Sequence, residues 1–289
     1  MVIITEFKMK VAVLVLAIFG SAFAASIGND VEIPPFRHLE LDPIRPSEEP
    51  SRRPHLRIIN GYEVVPHSIN YQAYLVARSS SGAWSCGGSL ITNRYVLTAA
   101  HCVDGATSIQ VTLGAHNLRN AASGQVTVSA STWTMHPRYN SRTIDNDVAV
   151  IRLASNVGLT RGIGLSRLPR RSDVGVNLVG RTGRVSGWGL TSGSGSGSNV
   201  LLAVNNTVIS NVECNSHYGV VRREEICLSG AGGRTSCNGD SGGPMIVGNK
   251  QVGIVSYGSR GCPAGAPSVY VRVTKFLDWI QSNSDWRAS

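Results

Sequence analysis

From about residue 58 onward, the chain consists of short β-rich segments separated by turn residues, and this spacing restricts the possible folds more than any other feature. The segments are Ser89-Leu90-Ile91, Tyr95–Thr98, Ile109–Leu113, Gln125–Val128, Val148–Leu153 and Val252–Tyr257. Closely spaced strands of this kind are typical of an all-β sandwich or barrel. The sequence predicts one convincing helix, Lys275–Ser282, with Thr274 as its N-cap.

The first 57 residues differ from the remainder in composition. Two lysines precede the apolar run Val11–Phe19, and small residues follow at Ala22 and Ala24. This pattern is typical of a secretory signal peptide, which we expect over residues 1–24. The apolar run is shorter than the ~20 residues that span a bilayer, so we expect no membrane anchor. Residues 25–57 are proline-rich and lack cysteine, which predicts a propeptide.

Charge and cysteine content narrow the class of protein further. The formal net charge is +9, but the basic residues are scattered, which indicates a solvated surface and no nucleic-acid partner. Export would place the six cysteines in an oxidising compartment, where an even number indicates disulfides rather than a metal site. Asn205-Asn206-Thr207 is a glycosylation sequon, and we leave open whether Asn205 is modified or is a bare strand residue.

Three motifs carry candidate chemistry. Ser241 lies in the glycine-rich segment Gly239–Pro244, where the backbone can turn tightly and present a hydroxyl group. A serine hydroxyl is a weak nucleophile and needs a base, for which His101 is the candidate. Asp147 precedes an apolar strand, where a buried carboxylate could hold the imidazole tautomer. Each residue alone has an ordinary structural explanation, and only their occurrence together indicates a catalytic site.

The order His101, Asp147, Ser241 is that of the chymotrypsin template. Over residues 58–289, the chain resembles the chymotrypsin-like serine proteases, and most closely arthropod digestive chymotrypsins and brachyurin-type proteases. The matching motifs are Ile58-Ile59-Asn60-Gly61, Cys86-Gly87-Gly88-Ser89-Leu90-Ile91, Leu97-Thr98-Ala99-Ala100-His101-Cys102, Asp147-Val148-Ala149, Ser186-Gly187-Trp188-Gly189, Gly239-Asp240-Ser241-Gly242-Gly243-Pro244 and Ser256-Tyr257-Gly258.

The resemblance implies two six-stranded antiparallel barrels and a C-terminal helix, with the catalytic residues in the cleft between the barrels. His101 and Asp147 would belong to the first barrel and Ser241 to the second. Six cysteines allow many pairings. The resemblance selects three of them, which are Cys86–Cys102, Cys214–Cys227 and Cys237–Cys262.

The resemblance also implies acyl-enzyme chemistry without a metal or organic cofactor. The backbone N–H groups of Gly239 and Ser241 would form the oxyanion hole. Ser256 would support the buried Asp147, and Ser256-Tyr257-Gly258 would pair with the substrate backbone. The loop around residues 114–125 carries no carboxylate, so we expect no calcium site there.

Cleavage after Arg57 is the activation step that the resemblance implies. It would free the amino group of Ile58 to pair with Asp240, and a basic residue at this position implies a trypsin-like activating protease. The partners expected besides this activator are protein or peptide substrates and protein protease inhibitors. We expect a secreted monomer.

Alignment of the motifs assigns the specificity pocket to Thr235, Gly258 and Ser268. None of the three is acidic, so a substrate arginine or lysine would lack a partner. Large apolar or aromatic residues are therefore favoured before the scissile bond, with elastase-like and collagenolytic specificity left open. Two rival hypotheses are a regulatory cascade protease and a secreted non-catalytic homologue that acts by binding.

Overall fold

A computed structural model of the chain describes residues 60–120, 124–192 and 195–288. The predicted signal peptide and propeptide lie outside the described residues, as do Arg57 and Ile58 of the predicted activation site.

The first barrel is a closed antiparallel sheet of six strands in the order β2-β3-β4-β7-β6-β5. Its strands are β2 (Gln72–Ser79), β3 (Gly82–Leu90), β4 (Tyr95–Thr98), β5 (Ser108–Leu113), β6 (Val126–Met135) and β7 (Ala149–Leu153). The interior is filled by aliphatic side chains such as Leu75, Leu90 and Ile151, which are almost fully buried. Burial of this apolar area is the main stabilising contribution to the barrel.

The second barrel contains the order β9-β10-β13-β12-β11-β8 and closes because β8 also pairs with β9. A short strand, β1 (Tyr62–Glu63), is added to β9 through two paired residues. The six barrel strands are β8 (Thr182–Gly187), β9 (Leu202–Ile209), β10 (Glu225–Gly230), β11 (Pro244–Val247), β12 (Lys250–Gly258) and β13 (Gly265–Arg272). The expected all-β fold of two six-stranded barrels is therefore confirmed.

The predicted strand segments are accurate mainly in the first barrel. All six overlap a strand, and five of these strands belong to the first barrel. Within β9, Asn205 is exposed, whereas Asn206 is buried, with its amide donating to backbone carbonyls of Ala231 and Arg234. The sequon asparagine is thus at the surface of a strand.

The helices depart from the sequence prediction in two respects. The C-terminal helix exists, but it begins after a 3₁₀ turn at Val273–Lys275, as α2 (Leu277–Ser282), and Thr274 does not cap it. A second helix, α1 (Asn211–Tyr218), was not predicted. Ser210 caps it by accepting the N–H of Glu213 at 3.0 Å. Within the described residues, no helix is long and apolar enough to cross a bilayer.

Three disulfides join Cys86 to Cys102, Cys214 to Cys227 and Cys237 to Cys262. These are the pairs that the resemblance selects. Each bond closes a short stretch of chain within one barrel, so no disulfide joins the two barrels among the described residues. Noncovalent contacts must therefore fix the position of one barrel against the other.

Gly87 in β3 lies where the two barrels touch. Its N–H donates to the carbonyl of Ser241 at 2.7 Å. A methyl group at Gly87 would lie 2.9 Å from Cα of Gly243 and 3.0 Å from its nitrogen. Both are backbone atoms of the other barrel, which cannot move aside as a side chain can. Only glycine permits this approach.

Gly87→Ala should therefore destabilise the protein by about 2 kcal/mol, because the added methyl group overpacks the contact between the barrels. Gly158→Ala is the matched control, since Gly158 is exposed and a methyl group added to it would have no atom within 4 Å. That substitution should change the free energy of unfolding by less than about 0.5 kcal/mol. Chemical denaturation measures both, and equal effects would show that the contact at Gly87 can relax.

Candidate active site

His101 and Asp147 are joined by two hydrogen bonds. Asp147 Oδ2 lies 2.8 Å from Nδ1 of His101, and Oδ1 accepts the backbone N–H of His101 at 2.9 Å. His101 belongs to a single 3₁₀ turn, Ala100–Cys102, which begins two residues after the end of β4. Because an ionised carboxylate has no proton to donate, the imidazole must donate from Nδ1. This leaves Nε2 able to accept a proton.

The backbone before β7 directs Asp147 inward. Asn146 has a φ of +53°, a left-handed conformation that asparagine tolerates better than most residues. Its side-chain amide donates to the carbonyl of Arg138 at 2.8 Å and fixes the turn. Asp147 then lies only 1% exposed at the entry to β7. Such a buried carboxylate requires hydrogen-bond donors to remain charged.

Ser256 of the second barrel supplies the third of these donors. Its hydroxyl donates to Asp147 Oδ2 at 2.6 Å. The pairing of β12 with β13 shifts register between Val255 and Tyr257, so that Ser256 is the extra residue of a β-bulge. Bulges redirect a side chain that regular alternation would place elsewhere. The carboxylate of Asp147 is therefore held by groups from both barrels.

The turn that carries Ser241 lies against the His101 segment. Gly242 has a φ of +78°, and a methyl group on it would clash with Thr98 Oγ1 and lie 3.1 Å from Cys102 Sγ. The same sulfur atom is 3.8 Å from Nε2 of His101. A side chain on the residue after Ser241 would thus meet the same sulfur atom that the imidazole contacts. The fold therefore brings the three predicted motifs close together.

Asp240 is completely buried beside this turn. Its carboxylate accepts the N–H groups of Gly189 at 2.9 Å and Cys237 at 3.0 Å. Burial raises the pKa of Asp240 to about 6, against the smaller opposing effect of these two hydrogen bonds. The sequence matched the motif containing Gly189 but did not reveal its role as a donor to Asp240.

Two of the predicted pocket residues lie on paired strands, and Thr235, which lies outside any strand, is hydrogen-bonded to one of them. Gly258 in β12 is opposite Ser268 in β13, and the hydroxyls of Ser268 and Thr235 are 2.6 Å apart. Both hydroxyl residues are buried and both are neutral. A methyl group on Gly258 would meet only the hydroxyl of Tyr218, at 3.9 Å, so the side of the strand at Gly258 is open.

Tyr218 is a site residue that sequence reasoning missed. Its hydroxyl donates to the carbonyl of Pro267 and accepts a hydrogen bond from Ser259 at 3.3 Å. It therefore connects the chain after Gly258 to the chain before Ser268 and braces the pocket wall. Its ring also packs edge-on against Tyr257, with 5.8 Å between ring centroids. Because Tyr218 lies at the end of the unpredicted helix α1, no sequence pattern pointed to it.

Cys86, His101 and Cys102 place three potential metal-ligand atoms within 4.8 Å of one another. Both sulfur atoms belong to one disulfide, however, so neither can act as a thiolate ligand. This cluster therefore does not have the donor set of a metal site. Its contribution is to fix the chain around His101.

The comparisons with known proteins agree with this geometry. The profile of the family named Trypsin matches residues 58–280. The chain is 55% identical over 280 residues to a chymotrypsin of Phaedon cochleariae, covering 97% of this chain and 100% of that protein. It is 46% identical over 229 residues to brachyurin of Leptuca pugilator, covering 78% and 98% respectively. A solved HL collagenase structure has a TM-score of 0.74 and 35% identity, covering 79% of this chain and 99% of that one.

The chain belongs to the trypsin family. It is a serine endopeptidase of the chymotrypsin type and acts on protein substrates.

The buried Asp240 should make the stability of the uncleaved chain depend on pH. Because its folded pKa of about 6 exceeds the ordinary value of 3.8, the folded state holds the proton more tightly. The extra stability is complete below about pH 4 and is lost as the pH rises through 6. A shift of this size corresponds to about 3 kcal/mol.

Denaturant unfolding of the uncleaved precursor between pH 4 and 8 measures this loss. Asp240→Asn is the matched variant, because the amide has the same shape and does not titrate. Over the same pH range, the variant should lose about 3 kcal/mol less of its free energy of unfolding than the parent protein loses. Parallel pH profiles for the two proteins would show that Asp240 does not titrate in this range.

Proposed function

We propose that the chain is the precursor of a secreted digestive endopeptidase that cleaves after large apolar or aromatic residues. The carboxylate of Asp147, held by His101 and Ser256 beside the Ser241 turn, is the observation that carries this proposal. In this proposal, residues 1–24 are the signal peptide, residues 25–57 the propeptide and residues 58–289 the enzyme. Secretion is supported by three disulfides, which persist in oxidising compartments.

Ser241 is the proposed nucleophile and His101 the general base. Ser241 Oγ forms a bond to the scissile carbonyl carbon as its proton passes to Nε2 of His101. The N–H groups of Gly239 and Ser241 stabilise the oxyanion. The carbon–nitrogen bond breaks when His101 returns the proton to the leaving amine. Water then attacks the acyl-enzyme by the same route, and no metal or organic cofactor takes part.

Asp147 orients the base and stabilises its charged form. Hydrogen bonds to both Nδ1 and the backbone N–H of His101 fix the ring and its tautomer. The hydroxyl of Ser256 donates a further hydrogen bond to Oδ2, so both oxygen atoms of the buried carboxylate have hydrogen-bond donors. Substrate backbone would pair along Ser256, Tyr257 and Gly258, at the edge of β12.

Activation is proposed to occur by cleavage after Arg57. The new ammonium group of Ile58 would pair with Asp240, whose pKa is raised by burial. Pairing would lower that pKa and order the neighbouring Gly239 and Ser241. A trypsin-like protease is the expected activator because the residue before the cut is arginine, and protein protease inhibitors are further expected partners.

The pocket chemistry supports the specificity. Thr235 and Ser268 satisfy one another by a hydrogen bond, and neither offers a charge to a substrate arginine or lysine. An unpaired cation would be costly to bury there. Gly258 leaves room for a large side chain. The similarity to the chymotrypsin of Phaedon cochleariae points in the same direction.

Hydrolysis of a peptide series that differs only in Phe, Leu, Ala or Arg before the scissile bond tests the proposal. The precursor is assayed before and after limited trypsin treatment. We expect activity to appear with an Ile58 terminus and to be greatest after Phe or Leu. Ser241→Ala should lower kcat by about 10⁶-fold.

Each other outcome has a defined meaning. Fastest cleavage after Ala would indicate an elastase-like pocket, and fastest cleavage after Arg would overturn the pocket assignment. Cleavage of native collagen, tested separately because of the similarity to a collagenase, would establish collagenolytic activity. Absence of activity despite an Ile58 terminus would favour a non-catalytic binding protein.

Thr235→Asp should shift specificity toward arginine, because it places a carboxylate beside Ser268 at the floor of the pocket. We expect the ratio of kcat/KM for Arg over Phe substrates to rise at least about tenfold, equivalent to about 1.4 kcal/mol. Thr235→Asn is the matched control, with the same shape and no charge. Equal ratios for the two variants would show that position 235 does not contact the substrate side chain.

A further inference from the structure

A groove of about 570 Å³ lies on the second barrel, and its lining contains none of the candidate catalytic or pocket residues. Its apolar part includes Leu178 and Val208 together with Val176 and Val179. The last two expose 51% and 48% of their surface, and the neighbouring Val174 exposes 50%. Grouped apolar side chains with this exposure mark a contact surface.

Hydrogen bonds fix the loop that forms one wall of this groove. Gly180 N–H donates to the carbonyl of Val208 at 2.8 Å, and Val208 N–H donates to the carbonyl of Arg181 at 2.9 Å. At the start of the loop, Asp173 accepts two hydrogen bonds from Lys250, both at 2.7 Å. These hydrogen bonds hold the loop, and with it the exposed valines, in a fixed position.

The rim of the groove is positively charged. Four basic residues line it, against one carboxylate, Asp173, which is already paired with Lys250. The basic residues are Arg222, Arg223, Arg272 and Lys275. Asp145 pairs with Arg222, and Glu224 pairs with Arg223. Across the described ranges, no ion pair involves Arg272 or Lys275. The groove therefore carries positive charge that a ligand can use.

The described chain begins close to this groove. The side-chain amide of Asn60 donates to the carbonyls of Gly232 and Gly233, both at 3.2 Å. The adjoining residues Ala231 and Arg234 are hydrogen-bonded to Asn206, which is two residues before Val208 in β9. Residues 51–59 can span up to ~30 Å when extended. Residues 38–50 can therefore reach the groove.

Residues 38–50 match the groove in charge and in apolar content. They contain four acidic residues and one basic residue, together with three aliphatic side chains: Glu40, Asp42, Glu48, Glu49, Arg45, Leu39, Leu41 and Ile44. By contrast, residues 58–289 contain 20 Lys and Arg against 11 Asp and Glu. Electrostatic complementarity of this kind speeds association and selects partners.

We propose that the groove between residues 173–179 and the Arg272–Lys275 segment binds residues 38–50 of the same chain. The aliphatic side chains cover the exposed valines, and the carboxylates meet the cationic rim. The interaction persists after the cut, so the propeptide stays bound although it contains no cysteine. This inference rests on the proposed cleavage after Arg57.

The test uses the precursor from residue 25 onward with Ser241→Ala, cut after Arg57 by limited trypsin treatment. Size-exclusion chromatography at low salt shows whether the released fragment remains with the enzyme. Fluorescence anisotropy with a labelled 25–57 peptide, added to the cut protein after the fragment has been removed at high salt, gives the Kd. We expect co-elution at low salt and release at high salt.

Arg223→Glu combined with Lys275→Glu should weaken peptide binding at least about tenfold, because it reverses two exposed cations of the rim. The matched control combines Arg152→Glu with Arg161→Glu, which are exposed positions outside the groove lining and give the same change in net charge. It should alter the Kd by less than about twofold. A peptide with Glu48→Lys and Glu49→Lys should regain binding to the first variant.

Equal weakening in both double variants, or no binding to the parent protein, would overturn the proposal. Thermal unfolding verifies that both variants remain folded. Self-association that is lost in the Arg223 and Lys275 variant, without peptide binding, would assign the groove to a second copy of the chain and overturn the proposal. N-terminal sequencing and the activity of cut protein with Ser241 intact test the proposed function separately, so its failure is distinguishable from failure of the docking.

Discussion

The site depends on one buried carboxylate that receives hydrogen bonds from both barrels. Asp147 accepts two from His101 in the first barrel and one from Ser256 in the second. Removing a charge from water is costly unless donors replace the solvent. The barrels must therefore dock correctly for Asp147 to be satisfied, which couples formation of the site to the packing of the two halves. The close contact at Gly87 belongs to the same docking surface.

The sequence predicts the motifs and much of the first barrel, but less of the local structure in the second. Strands such as β8 and β13 contain glycine and polar residues, which hide the alternation of a strand. Helix α1 has ordinary termini, with Ser210 at its start and Gly219 at its end, but little amphipathic pattern. The hydrogen bond between Thr235 and Ser268 joins residues 33 positions apart, so only the fold reveals it.

Charge is distributed unevenly between the interior and the surface. The pocket floor is neutral, whereas the excess of arginine and lysine lies on the outside. Recognition in the proposed pocket would then depend on shape and desolvation, which are insensitive to net charge. A basic outer surface would instead act at long range, on the rate of encounter with acidic proteins.

The β-bulge at Ser256 restricts how this strand can change during evolution. Strand residues alternate between two faces, so loss or gain of one residue reverses every side chain beyond that point. A single-residue deletion in β12 would turn Ser256 away from Asp147 and exchange the faces of Tyr257 and Gly258. Substitutions can be tolerated one at a time, but length changes here cannot. Natural variation in related chains should consequently place its insertions and deletions in the surrounding loops and spare this strand.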